Sequence, residues 1–238
     1  MFYVFRLKRL VLIALAIIAV LVLLLVLIGR EDDSVKTFSE SAQQLILVID
    51  PGHGGEDGGA VSSSGDRESA VNLDIALRAR ALADFLGLEN AMTRESEDID
   101  YPDSADTVAA RKVWDQHSRA ELINSFPSAV MLSIHQNKYP DSRPCGAQVF
   151  YASTAGSEDL GRLTHSNLVS CLAPENRRVA APASKDIYLM RSVSCPAILV
   201  ECGFLSNPDE AALLRTDAYQ KKLSVVMIGS YCQYLQTI

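Results

Sequence analysis

Four side chains in this sequence have the residue types and positions that hydrolytic chemistry requires. His53, His135 and Glu201 each directly follow a run of aliphatic residues, and Glu68 lies between the two histidines. Two imidazoles and one carboxylate, with a fourth position left open for water, are the ligand set of a hydrolytic zinc site. Zinc in such a site lowers the pKa of its bound water to about 7 and polarises a substrate carbonyl. A metal-dependent hydrolase is therefore the leading hypothesis.

A second carboxylate must carry protons in such a site, because the attacking water loses a proton and the leaving amine gains one. Glu68 and Glu201 could fill the two acidic roles, and their spacing alone does not say which one binds the metal. Each residue also has a structural explanation. His53 could simply belong to a turn with six nearby glycines, Glu68 suits the dipole at a helix N-terminus, and Glu201 could cap the turn at Gly203.

Strand and helix patterns alternate along residues 45–238, which predicts an α/β domain with a mixed, mostly parallel sheet. If the strands before His53, His135 and Glu201 are parallel, these three residues meet at one edge of the sheet. The aliphatic and β-branched runs predict strands at 45–49, 90–93, 129–134, 146–152, 187–190 and 196–200. The helical patterns cover 69–86, capped by Asp66 or Ser69, 109–126, 158–172, a segment capped by Asn207, and a final segment after Asp217.

The N-terminus predicts a membrane anchor. Residues 10–28 are 19 consecutive apolar residues, and three basic residues precede them within residues 1–9. This length suits one transmembrane helix, and the basic tail is expected to stay in the cytoplasm. A cleaved signal peptide is the alternative. We predict a tail at 1–9, an anchor at 10–28, a linker at 29–44 and a catalytic domain at 45–238 on the extracytoplasmic side of the cytoplasmic membrane.

Charge argues against nucleic acid as a partner. Residues 1–44 hold five of the 22 basic and four of the 29 acidic residues, so 17 basic and 25 acidic residues remain in the domain. An acidic domain without a cluster of lysines and arginines lacks the electrostatic surface that nucleic acids require.

The remaining histidines and the cysteines are predicted to have no catalytic role. His117 and His165 lie within helical patterns among polar neighbours, so both are expected to be exposed. No CxxC spacing occurs, nothing in the spacing demands a disulfide, and most of the cysteines are expected to be small buried residues. The five cysteines are Cys145, Cys171, Cys195, Cys202 and Cys232.

Four ordered motifs resemble the zinc-dependent N-acetylmuramoyl-L-alanine amidases of the type-3 class. They are DPGHGG at 50–55, RESAVNLDIA at 67–76, SIHQN at 133–137 and PAILVECGFLSNPDE at 196–210. The resemblance implies one zinc ion per chain, with His53, Glu68 and His135 as ligands and Glu201 as the catalytic glutamate. It also implies peptidoglycan as substrate and a three-layer α/β/α sandwich as the fold.

Three further stretches resemble the spore-cortex amidases of the CwlD type within this family. They are GAQVFYA at 146–152, NRRVAAPASKDIYLMR at 176–191 and NPDEAALLRTDAYQKK at 207–222. The resemblance implies a role in cortex maturation, where removal of the peptide allows muramic-δ-lactam to form, and it leaves room for an activating partner protein. Asn137 and Arg191 lie next to the motifs and are predicted to contact substrate.

Two other functions compete with this interpretation. A thiol hydrolase could use Cys202 or Cys195, although the neighbouring Glu201 would raise the pKa of the Cys202 thiol rather than activate it. A membrane-anchored protein that binds peptidoglycan on an inactive amidase scaffold would be favoured if a key position were substituted. Cys202 and Gln136 both depart from the residues usual in relatives, but neither is one of the four predicted site residues.

Overall fold

The computed structural model of the protein describes residues 45–238. Six strands form one sheet in the order β2-β1-β3-β6-β4-β5. The strands are β1 (Ile46–Pro51), β2 (Asn90–Met92), β3 (Ala129–Asn137), β4 (Gln148–Tyr151), β5 (Ala181–Pro182) and β6 (Ala197–Phe204). The helices are α1 (Glu68–Phe85), α2 (Val108–Ser125), α3 (Ser157–Leu172), α4 (Tyr188–Ser192), α5 (Pro208–Leu214) and α6 (Asp217–Leu235).

The three central strands bring the predicted site residues to one edge of the sheet. Strand β1 runs parallel to β3, and β3 runs parallel to β6. His135 on β3 is paired with Glu201 on β6 in this register, and His53 follows the end of β1. Strand β4 is antiparallel to β6, so the sheet is mixed, as the sequence predicts.

Helices pack on both faces of the sheet because residues on β3 alternate between two apolar clusters. Val130, Leu132 and Ile134 belong to the cluster that contains the buried faces of α1, α3 and α6. Ala129 and Met131 belong to the smaller cluster under α2 and α4. Successive side chains of a strand point to opposite faces, so a strand covered by helices on both sides is apolar throughout. His135 shares its face with Met131 and therefore points toward the α2 and α4 layer.

Two local predictions are wrong. Residues 187–190 were expected to form a strand, but α4 is a helix, because a four-residue apolar run has no length from which a period can be read. Helix α1 begins at Glu68 after Arg67, and no side chain caps it. Asp66 instead accepts hydrogen bonds from two serines of the preceding loop, while Ser69 lies inside the helix. The Asn207 cap is confirmed, since its side chain accepts from two backbone amides of α5.

The exposure predictions for histidines and cysteines are also partly wrong. His165 is buried, with Nε2 bonded to the carbonyl oxygen of Arg178, whereas His117 is exposed as predicted. Only Cys202 is buried among the five cysteines, all of which are free thiols. The side that a helix or strand turns inward depends on its neighbours, which periodicity alone does not identify.

The predicted tail, anchor and linker at residues 1–44 lie outside the described residues. Within residues 45–238, no helix combines the length and the apolar character that crossing a membrane requires.

A buried ion pair connects β1 to α2. Arg119 Nη1 lies 2.8 Å from Asp50 Oδ1, and the two side chains are 6% and 2% exposed. Burial alone would raise the pKa of Asp50, but the charge of Arg119 and hydrogen bonds from Ser133, Thr93 and Arg119 hold it below its usual value. The carboxylate is therefore ionised in the folded protein at neutral pH.

Replacing Arg119 with methionine is expected to lower the free energy of unfolding by about 3–5 kcal/mol, because Asp50 would remain buried and unpaired. Urea unfolding of the full chain measures this change. Arg143→Met is the matched control, since the Arg143–Asp141 pair is largely exposed and such pairs contribute about 0–1 kcal/mol. Equal effects of the two substitutions would contradict the assignment of Arg119 as a structural ion-pair partner.

Candidate active site

Three potential metal ligands converge at the carboxyl edge of the sheet. His53 Nε2 lies 3.3 Å from Glu68 Oε1, and His135 Nδ1 lies 3.0 Å from the same oxygen. One ligand atom from each residue lies within 4.8 Å of the other two. The predicted ligand residues thus come together although 67 residues separate Glu68 from His135 in sequence.

The loop after β1 holds His53 in an unusual backbone conformation. Its φ of 61° makes it the only non-glycine residue with positive φ among residues 45–238. Such a conformation is disfavoured for side chains with a Cβ atom. Two buried arginines stabilise this backbone conformation. Arg119 Nη2 donates to the carbonyl oxygen of His53 at 2.6 Å, and Arg94 Nη2 donates to that of Gly52 at 3.1 Å. These bonds fix the backbone of the loop from which the His53 side chain extends.

Glu68 is fixed by contacts on both carboxylate oxygens. Oε2 accepts from the backbone amide of Ala60 at 2.8 Å, and Oε1 accepts from that of Gln136 at 3.1 Å. Burial would raise the pKa of Glu68, but hydrogen bonds with His135 and His53 outweigh it and hold the pKa well below its usual value. The carboxylate is therefore charged and held in place next to both histidines. Glu68 is also the first residue of α1, so its charge interacts favourably with the helix dipole, as its structural explanation requires.

Asp57 is a site residue that the sequence reasoning missed. Its Oδ2 lies 3.0 Å from His53 Nδ1 and 2.8 Å from Lys112 Nζ. Burial would lower the pKa of His53, but hydrogen bonds and charges from Asp57 and Glu68 raise it to about 9. The sequence did offer a signal for this contact, because Asp57 lies four residues after His53 in the same glycine-rich loop.

Gly52 makes room for the His135 ring. A Cβ atom built on Gly52 would overlap the imidazole, with Nε2 as the nearest atom. The Nε2 side of the His135 ring therefore lies against the backbone of Gly52, and its Nδ1 faces Glu68. A glycine that allows such close approach is typical of binding sites.

Replacing Gly52 with alanine is expected to weaken metal binding by about tenfold or more, because the His135 ring must move away from its present position; this is the size of loss seen when an orienting contact is removed. Zinc affinity, measured by competition with a chelator, checks it. Gly229→Ala on α6 is the control, since no atom outside its own helix turn lies within 4 Å of the added Cβ. Unchanged affinity in Gly52→Ala would show that the ring is not held by this contact.

Glu201 lies on β6 rather than after it, beside His135. Its Oε2 is buried and has no hydrogen-bond partner among the described residues. Burial raises the pKa of Glu201 to about 7; the charges of His135 and His53 oppose this rise, and that of Glu68 adds to it. A partnerless carboxylate with a pKa near neutrality can take up and release a proton during a reaction.

The departure at Gln136 has a structural explanation. Its side chain is buried on the opposite face of β3 from His135, where Nε2 donates to Asn72 Oδ1 at 3.1 Å. Asn72 in turn donates to the carbonyl oxygen of Gly52 at 3.0 Å. Gln136 therefore supports the loop before His53 rather than facing the cavity.

A cavity of about 340 Å³ extends from the histidines into the layer formed by α2 and α4. Its described lining contains His53 and His135 together with Lys112 and Tyr188, and includes neither Asn137 nor Arg191. Arg191 lies over the Tyr188 ring, 5.2 Å from its centroid. The predicted substrate contacts of Asn137 and Arg191 stay predictions.

The arrangement fits a divalent metal ion. Two imidazole nitrogens and one carboxylate oxygen are suitable ligands for zinc, and three protein ligands leave a position for water or substrate. The ionised Glu68 supplies charge compensation, and the partnerless oxygen of Glu201 lies on the neighbouring strand. The donor set is therefore that of a catalytic rather than a structural metal centre.

Sequence comparison places this centre in a known family. Residues 47–228 match the family described as N-acetylmuramoyl-L-alanine amidase. The chain belongs to the N-acetylmuramoyl-L-alanine amidase family. The four motif positions His53, Glu68, His135 and Glu201 all lie within the matched residues.

Individual amidases agree with this assignment. The chain is 37% identical over 204 residues to the germination-specific N-acetylmuramoyl-L-alanine amidase of Bacillus subtilis, covering 85% of each protein. It is similar to the structure of the CwlD amidase from Clostridioides difficile in complex with the GerS lipoprotein, with a TM-score of 0.78, 31% identity, and coverage of 82% and 100% of the two chains. The amidase AmiC2 of Nostoc punctiforme gives a TM-score of 0.69 at 25% identity, with 82% and 99% covered. The mixed-sheet α/β fold is thus that of the amidases.

The thiol-hydrolase alternative does not agree with the structure. Cys202 lies on the opposite face of β6 from Glu201 and is fully buried. Burial raises the pKa of its thiol far above the usual value. Burial likewise raises the pKa of Cys195. Neither thiol is activated as a nucleophile.

Proposed function

We propose that this amidase hydrolyses the bond between the lactyl group of N-acetylmuramic acid and L-alanine in peptidoglycan, with one zinc ion held by His53, Glu68 and His135. The observation that carries the proposal is the convergence of His53 Nε2 and His135 Nδ1 on Glu68 Oε1, within one group of potential metal ligands. Glu201 on the next strand, whose Oε2 is buried without a partner among the described residues, supplies the second acidic group that amide hydrolysis needs.

When bound, zinc supplies Lewis acidity toward the lactyl carbonyl and toward water. Glu201 accepts the proton of the attacking water on its free oxygen. It then donates this proton to the alanine nitrogen as the amide bond breaks. Its pKa of about 7 lies where a single carboxyl group can act first as base and then as acid near neutral pH. The cavity beside α2 and α4 is large enough to hold one flank of the substrate.

We infer that the substrate is spore-cortex peptidoglycan, whose trimming allows muramic-δ-lactam to form. The B. subtilis relative is named a germination-specific amidase, and the similar C. difficile structure is a CwlD amidase. The stretches at 146–152, 176–191 and 207–222 support the same subfamily.

We also infer a partner protein and a membrane location. The C. difficile CwlD structure is a complex with a lipoprotein, and a lipoprotein partner would be found at a membrane surface. Residues 10–28 have the length and composition of an anchor. The catalytic domain would then act outside the cytoplasmic membrane.

Metal content and peptide release by the purified full chain test the proposal. We expect one zinc ion per chain and, from cortex peptidoglycan, peptides with a free N-terminal alanine whose release stops when zinc is chelated. Release from vegetative walls but not from cortex would refute the cortex role alone. Zinc binding without release from either substrate, even with a partner lipoprotein added, would favour a wall-binding protein on an inactive scaffold.

A further inference from the structure

We propose that Asp57 is a positioning residue for the metal centre, because its carboxylate holds His53 in the tautomer and orientation that present Nε2 to the metal. The inference rests on the zinc site of the proposed function. It assigns a role to a residue outside the three ligands and Glu201, and it concerns metal affinity as well as catalysis.

The two nitrogens of His53 face different carboxylates. Nδ1 lies 3.0 Å from Asp57 Oδ2, and Nε2 lies 3.3 Å from Glu68 Oε1. A neutral imidazole carries its proton on one nitrogen, and the partner of that nitrogen decides which one. An Nδ1–H that donates to Asp57 leaves the Nε2 lone pair free, on the side where His135 Nδ1 also converges. Carboxylates that accept the second nitrogen of a ligating histidine orient the ring and strengthen it as a ligand.

The Asp57 carboxylate is itself held in place, so it can impose an orientation on the ring. Its Oδ1 accepts from the backbone amide of Gly59 at 3.2 Å. Its backbone forms a closed pair with Gly54, with N···O distances of 2.9 and 3.0 Å in the two directions. The glycine-rich loop thus folds back so that residue 57 returns to the ring of residue 53.

His53 needs such a partner more than His135 does. The His135 ring fits tightly against Gly52, where packing alone restricts its rotation. The His53 side chain follows a backbone of disfavoured conformation and is 21% exposed. Among the described residues, Asp57 alone supplies a polar partner to its Nδ1. Loss of Asp57 would let the ring rotate or change tautomer.

Lys112 offers a different explanation that must be separated from this one. Its Nζ lies 2.8 Å from the same oxygen of Asp57, so Asp57 could serve only to tie the loop to α2. Lys112 is 49% exposed, and ion pairs at that exposure contribute little. The positioning role predicts that metal affinity depends on Asp57 and hardly on Lys112.

Zinc affinity of four full-chain variants, measured by competition with a chelator at one fixed pH, tests the proposal. We expect Asp57→Ala to bind zinc about 10–100-fold more weakly than the unchanged chain. Asp57→Asn should recover part of this loss, because its amide oxygen still accepts the Nδ1 proton. Lys112→Met should change affinity by about fivefold or less. Glu56→Gln is the matched control, since Glu56 precedes Asp57 but pairs with Arg111 away from the ring.

The ¹⁵N chemical shifts of the His53 ring provide a readout independent of activity. In the zinc-loaded protein they should report the Nδ1–H tautomer in the unchanged chain and a mixture of tautomers in Asp57→Ala. Unchanged zinc affinity in both Asp57 variants would overturn the proposal. An equal loss in Lys112→Met and Asp57→Ala would also overturn it, because the tie to α2 would then be responsible. Absence of zinc binding by the unchanged chain would instead refute the proposed function, together with this inference.

Discussion

Glu201→Gln is expected to bind zinc as the unchanged chain does and to lose peptide release by about 10²–10⁴-fold, the usual contribution of a general acid–base group. Glutamine has nearly the shape of glutamate but cannot take a proton from water. Glu201 is not one of the three converging ligand residues, so the metal centre should survive the substitution. Metal analysis and release of peptides with free N-terminal alanine, measured on the same preparation, separate the two effects.

The fold should also survive this substitution. Oε2 of Glu201 has no partner among the described residues, so the change breaks no hydrogen bond at that atom, and it removes a carboxylate whose burial is unfavourable. We therefore expect equal or higher resistance to urea. Glu121→Gln on the exposed surface of α2 controls for loss of one negative charge. Activity within tenfold of the unchanged chain would mean that another group moves the proton.

Chain order and strand polarity were enough to predict that the candidate site residues meet at one edge of the sheet. His53, His135 and Glu201 each follow or end an aliphatic run, and parallel neighbours must bring such positions to one edge. The ends of the strands were harder to predict from the sequence. Strand β6 continues through Glu201 to Phe204, because its pairing with β3 continues past Glu201 as far as Asn137.

The start of α1 shows why the capping pattern in the sequence predicted the wrong helix start. No side chain caps this helix. Glu68 is instead placed by its contacts with Ala60: its amide donates to the carbonyl oxygen of Ala60 at 2.8 Å, and its Oε2 accepts from the Ala60 amide. Contacts with the preceding loop therefore fix the start of the helix, and no pattern within the helix encodes it.

The supporting residues of the site could not be predicted because they act through backbone atoms far away in sequence. Arg94 and Arg119 lie outside the four motifs, yet both are buried and donate to the carbonyl oxygens of Gly52 and His53. Asp57 and Gly52 were visible within the motif, but their roles depend on the way the loop folds back. Residue types and motifs identified candidate ligands, whereas the contacts that orient those side chains became visible only in the structure.

His135→Ala is expected to weaken zinc binding by more than about 100-fold. This is a larger loss than the roughly 10–100-fold that follows when a residue that only orients a ligand is removed. Removing one of three protein ligands leaves only His53 and Glu68, which is fewer than catalytic zinc sites use. Peptide release should fall with metal content. Zinc added to the unchanged chain should raise its thermal unfolding midpoint, because a ligand stabilises the folded protein to which it binds. Zinc added to His135→Ala should not raise the midpoint.

His117→Ala is the matched control. This exposed histidine stacks on Tyr188 with 4.7 Å between ring centroids, and it is not part of the group formed by His53, Glu68 and His135. It removes one imidazole and should leave zinc affinity unchanged. The folded state of His135→Ala should persist without metal, because the two apolar clusters of the sheet lie beneath the site rather than within it. A His135→Ala chain that still binds one zinc ion tightly would remove His135 from the ligands, and the carboxylate of Glu201 would then be the nearest group on β6 to take its place.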